Sequence, residues 1–107
     1  MAESLTGQFA QLDREMRGML RSVDSEKLDR SEREMIMKLK TALSEIRLDI
    51  RDYEYAQTRA EQTKWSKHGR HNLRALNALV LMLAQVFGPA DVASIGARID
   101  SLQNGLQ

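Results

Sequence analysis

Ile36-Met37-Lys38-Leu39-Lys40-Thr41-Ala42-Leu43-Ser44-Glu45-Ile46-Arg47-Leu48-Asp49-Ile50-Arg51-Asp52-Tyr53-Glu54-Tyr55-Ala56-Gln57-Thr58-Arg59-Ala60 is the stretch on which the fold turns. Within it Ile36, Leu39, Leu43, Ile46, Ile50 and Tyr53 recur at alternating steps of three and four, and Gln57 and Ala60 keep the register. That spacing draws one apolar stripe along an α-helix. Extended outward, the helix is expected over residues 31–67, opened by a capping box of Ser31 and Glu34. Asp24 or Ser25 offers an earlier start, since Leu28 prolongs the stripe. At ~1.5 Å per residue such a helix is on the order of 55 Å long. A compact domain of this size has a radius of gyration of only ~13 Å. The expectation is therefore that something else, a second copy or another protein, covers the overhang.

Met37, Leu48 and Tyr55 project roughly opposite the stripe, counting ~100° per residue, with the small Thr41 and Ser44 on the same face. Scattered surface hydrophobes are common and are the plain explanation. The sharper one is a helix sandwiched between its own chain and a partner.

Toward the N-terminus, Leu5, Phe9, Leu12, Met16, Met19 and Val23 step four, three, four, three, four. This predicts an amphipathic helix over residues 3–22, weakened by Gly7 and Gly18 and so dependent on docking. Toward the C-terminus, Trp65-Ser66-Lys67-His68-Gly69-Arg70-His71-Asn72 holds a glycine suited to ending one helix and an asparagine suited to capping the next. A turn is expected there, with a continuous helix through Gly69 as the competing reading. Residues 72–87 are apolar nearly all round, from Leu73, Leu76, Leu79, Val80, Leu81, Met82 and Leu83 to Val86 and Phe87. A helix of that kind is buried on several sides, which argues for an oligomer or a partner helix. Gly88-Pro89 then breaks the chain. Val92, Ile95, Ile99 and Leu102 mark a last helix over residues 90–104, with Pro89 and Asp91 suited to its start.

The expected fold class is all-α: one domain over residues 1–107, a small bundle of about four helices built on one long central helix, hairpin-like or coiled-coil-like. At 107 residues the chain suffices for one core, and 42% hydrophobic with 29% charged residues suits a water-exposed helical domain. No alternation of period two persists. Cysteine is absent, which removes disulfides, thiolate nucleophiles and cysteine zinc sites and suits a reducing cytoplasm. Met1-Ala2-Glu3-Ser4-Leu5 lacks the basic and apolar parts of a secretory signal, and the apolar run at residues 78–84 is too short for a membrane span. A cytoplasmic location is the expectation.

Candidates for chemistry are few. His68 and His71, three apart, have no acid within four residues, so no metal or cofactor is expected. His71-Asn72-Leu73-Arg74-Ala75 has a short likeness to the His-x-Leu-Lys-Gly pattern of histidine phosphotransfer domains, with Ala75 where that pattern has glycine. Phosphotransfer through His71 ranks third among the functional readings. The second is nucleic-acid binding. Net charge is only +1, yet residues 59–74 hold five bases and one acid. Arg59, Lys67, Arg70 and Arg74 would share one side of a continuous helix, with Trp65 near enough to stack on a base. A solvated helix end explains the same charges. The first reading is a non-enzymatic protein–protein interaction module, an adaptor, small regulator or secretion-type chaperone. It would act as a homodimer, a higher oligomer or the partner of another helical protein. Met37, Leu48, Tyr55, Leu79, Met82 and Val86 are its expected contact residues.

Overall fold

Asp29, one residue before the first turn of the long helix, sets where that helix begins. Its Oδ1 accepts from the Glu32 N–H at 2.8 Å, while Glu32 Oε1 accepts from the Asp29 N–H at 3.0 Å. This reciprocal box opens α2 (Arg30–Glu54), replacing the expected cap at Ser31. Glu34 pairs with Arg30 instead, at 3.3 Å. The computed structural model describes residues 4–107. Its other helices are α1 (Leu5–Ser22), α3 (Arg59–Met82), the single turn α4 (Ala84–Phe87) and α5 (Pro89–Gly105), with a 3₁₀ turn at Ser25–Lys27. The expected start of the first helix, at residue 3, lies outside the described residues.

The expected helix over residues 31–67 is two helices. α2 stops at Glu54, and after residues 55–58 Thr58 caps α3, its Oγ1 accepting from the Glu61 N–H at 3.1 Å. Glu61 Oε2 also accepts from the Gln57 N–H at 3.3 Å, which ties the turn to the new helix. Gln57 and Ala60, read as the end of the stripe, are exposed in and just after this turn. The expected turn at residues 69–72 is likewise corrected, because α3 runs straight through Gly69. A Cβ there would meet Leu106 Cδ1 at 2.9 Å and Asp49 Cβ at 3.7 Å. Gly69 is thus a close-packing position. The glycine with a positive φ is Gly88, at 88°, which turns the chain into Pro89 as the break at Gly88-Pro89 requires.

α1 packs on α2 and α5, and α3 packs on α2 and α5. Each neighbouring pair is antiparallel. Thr6 bonds Glu54 across α1 and α2, Asp49 meets Asn72 across α2 and α3, and Gln8 meets Ser101 across α1 and α5. Ser66 donates to the Leu106 carbonyl, joining α3 to the end of α5. The result is an all-α, up-down-up-down four-helix bundle. Its core joins Leu12 and Met16 of α1, Leu39, Leu43, Ile46 and Ile50 of α2, Leu73, Leu76 and Val80 of α3, and Ile95, Ile99 and Leu102 of α5. The α2 stripe is therefore buried, with Ile36 and Tyr53 half-buried at its ends.

The overhang argument fails with the long helix. The radius of gyration is 14.3 Å and the longest extent 47 Å, because the chain folds back after Glu54. The C-terminal part of α3 is also covered better than its composition suggested. Leu73, Leu76, Val80, Leu83 and Phe87 are buried within the one chain, and Leu79 and Val86 half-buried. Leu81 and Met82 remain, 57% and 61% exposed.

Candidate functional site

The turn at residues 55–58 brings the first half of α2 beside the second half of α3. Their outer surfaces form an open groove of about 550 Å³. From α2 come Met37, Lys38, Thr41, Ala42 and Glu45, and from α3 Asn72, Ala75, Ala78, Leu79 and Met82. The floor is built from small residues. Thr41 and Ala42 from α2 and Ala75 and Ala78 from α3 line it, with half-buried Leu79 as the long apolar side chain among them. Thr41 turns its hydroxyl back to the Met37 carbonyl, at 3.1 Å, and so presents its methyl outward. The long apolar side chains stand at one end, Met37 at 69% and Met82 at 61% exposure. Thioether chains there adapt to an incoming surface better than branched ones.

The other end of the groove is polar. Asn72 Nδ2 donates to Asp49 Oδ2 at 2.7 Å. Asp49 is buried, and its loss of water pushes the carboxyl above the ordinary range; the Asn72 hydrogen bond and the nearby His68 work in the opposite direction. Glu45, one turn before Asp49, adds repulsion and raises it further. Glu45 and Lys38 stand on the α2 side of the groove and make no ion pair among the described residues.

Of the six expected contact residues, Met37, Leu79 and Met82 come together in this groove. Leu48 and Tyr55 do not join them. They line a smaller recess of about 240 Å³ with Thr6, Phe9, Arg47, Ile50 and Arg51, because the start of α1 lies against the last turns of α2. Val86 sits in α4, half-buried on the core. Thr41 was expected on the outer face with Met37, whereas Lys38, Ala42, Glu45, Asn72, Ala75 and Ala78 were missed by the reading of apolar stripes. The one trace they leave is Ala75 and Ala78 spaced by three on a helix otherwise rich in large side chains.

Arg59, Lys67, Arg70 and Arg74 lie on the single continuous α3, and they fall within about 80° of one another at ~100° per residue. Arg59, Lys67 and Arg74 are exposed; Arg70 is half-buried and donates to the Ser66 carbonyl at 3.4 Å. The Trp65 ring is engaged within its own helix, with Lys64 Nζ 4.9 Å from its centroid and the His68 ring at 5.5 Å. His71 is exposed on α3, away from the turn it was expected to flank. Among the described residues, no three His, Cys, Asp or Glu side chains gather as metal ligands do, and no helix is long and apolar enough to cross a membrane. No family model, no curated protein and no solved structure matches the chain.

Proposed function

We propose that this chain is a non-enzymatic protein–protein interaction module that docks another helical surface in the groove between α2 and α3. One observation carries the reading. On a bundle whose core is closed, this groove leaves Met37 and Met82 mostly in water above a floor of alanine and threonine. Exposed apolar surface collected in one place is costly in a monomer and marks a binding face. Small residues on the floor let a facing helix approach closely, and the methionines adapt to its side chains. An adaptor, a small regulator or a secretion-type chaperone would each use such a face, in the reducing cytoplasm that a cysteine-free chain suits.

A photo-crosslinking side chain at Met82, compared with one at the exposed Asp91, tests the proposal in the native cell. The expected result is a discrete cross-linked protein species from position 82 that position 91 does not give. Equal and diffuse labelling from both would overturn it.

The single-sided row of Arg59, Lys67, Arg70 and Arg74 favours one second reading, an anionic partner such as nucleic acid along α3. Binding to single-stranded nucleic acid that weakens steeply with salt would support it. Binding unchanged on replacing all four cations by Gln would sink it.

A further inference from the structure

We infer that the occupant of the α2–α3 groove is a second copy of this chain, docked with its α2 antiparallel about a twofold axis near Thr41 and Ala42. The inference rests on the groove being a docking face and goes further by naming what docks. The α2 face of the groove is self-complementary in charge. Lys38 and Glu45 are seven residues apart on α2, two turns, so they stand on the same side of the helix within about 20° and ~10 Å apart. Both line the groove, they carry opposite charge, and neither has an ion-pair partner among the described residues. Glu45 also lies close enough to buried Asp49 to raise its proton affinity, so a cation is what its surroundings lack.

A twofold interface uses one patch twice, so that residue i meets residue j of the other copy and j meets i. Between two antiparallel copies of α2, with the axis midway between residues 38 and 45, each Lys38 faces the other copy's Glu45. The midpoint falls between Thr41 and Ala42, the small residues of the groove floor. Counting back along the antiparallel helices from the Asp49–Asn72 bond brings Leu79 to the level of the axis, with Ala78 one residue away on the exposed side. On α2 the axis thus passes over small side chains, and the two copies of that helix can approach there. Met37 and Met82, at one end of the groove, then reach toward the Asn72 end of the partner's groove. A net charge of only +1 gives two copies little reason to repel.

Charge reversal in the purified full-length chain tests the arrangement. Lys38→Glu and Glu45→Lys each put like charges across the axis twice, and each alone should weaken dimerisation at least tenfold by sedimentation equilibrium. The double variant restores both pairs and should return to within about threefold of the wild type, and an equimolar mixture of the two single variants should form a mixed dimer. Residues two turns apart on one helix do not touch, so rescue has no explanation within one chain. As a second measurement, Ala78→Cys should give a covalent dimer on mild oxidation, since the chain has no cysteine of its own. A monomeric wild type at 100 µM overturns the inference, as does failure of the double variant to recover while its helicity and Tm are unchanged. A discrete cross-link from Met82 to another protein only would leave the docking face standing and remove the second copy from it.

Discussion

The two opposite edges of the bundle are finished in different ways. Where α1 meets α5, the outer groove is stitched by polar side chains. Gln8 accepts from Ser101 at 3.0 Å, Gln11 from Arg98 at 2.8 Å, and Glu15 pairs with the same guanidinium. Glu15 also accepts a hydrogen bond from Ser94, and this contact, together with Arg98, holds its carboxyl below the ordinary range against some desolvation. Where α2 meets α3, one part-buried hydrogen bond from Asn72 to Asp49 marks the end of the groove, and a mainly apolar surface bordered by Lys38 and Glu45 follows. Both edges cover the same core. One is crossed by polar bonds between the chain's own side chains, and the other leaves Met37 and Met82 mostly exposed. A four-helix bundle can therefore close its core and still leave apolar side chains exposed along one edge, and that edge is where the proposed docking is tested.

The comparison can be broken most severely beneath both edges. Leu43→Ala or Ile46→Ala removes a side chain buried at 1% or 0% exposure, and is expected to cost ~2–5 kcal/mol of stability. Urea unfolding reads this, and a change within error would mean the two edges do not share a core. A smaller effect belongs to the finished edge. Arg98→Ala loses a partly exposed ion pair and the Gln11 bond, and about 1 kcal/mol is expected. Dimerisation should be untouched. Loss of association with intact helicity would place the working face at α1–α5 instead.

The smallest effect concerns pH, and the two edges should respond with opposite sign. Glu15, lowered, contributes stability that is present above the ordinary glutamate range and lost as pH falls through its folded value. Asp49, raised, is held more favourably when protonated, so its contribution is greatest below the ordinary aspartate range and declines as pH rises through the folded value. Asn at 49 keeps an acceptor for Asn72 without the buried charge. Asp49→Asn should therefore be more stable than the wild type at pH 7, with the gap closing toward pH 4. A gap that stays constant between those pH values would show that Asp49 does not titrate differently in the folded chain.

The sequence carried the helical class, the α2 stripe and the break at Gly88-Pro89, because each is written in spacing or in one backbone-restricted residue. What it did not yield was the position of the hairpin turn. Thr58 and Glu61 spell a helix start as clearly as Ser31 and Glu34 do, but the apolar register continues across them through Gln57 and Ala60. Gly69 looked like a stop because a glycine needed for lack of space reads the same as one needed for a turn. Moving the turn by about a dozen residues changes every pairing across a hairpin. With the turn at residues 69–72 Met37 cannot come near Met82; with the turn at residues 55–58 the two face each other. The six expected contact residues were separated for the same reason, since which exposed side chains meet depends on a register that no single helix records.

The up-down-up-down order has a consequence for how the chain reaches this state. α1–α2, α2–α3 and α3–α5 join helices that follow one another, or nearly so, and each can dock after closing a short loop. The α1–α5 seam joins Gln8 to Ser101 and Leu5 to the neighbourhood of Gly105, almost the whole chain apart. Loop-closure entropy grows with the length of chain enclosed, so this seam is the costly one to form early. On that ground its polar stitches are expected to form late in folding. The α2–α3 hairpin that bears the groove can take shape while the opposite edge is still open.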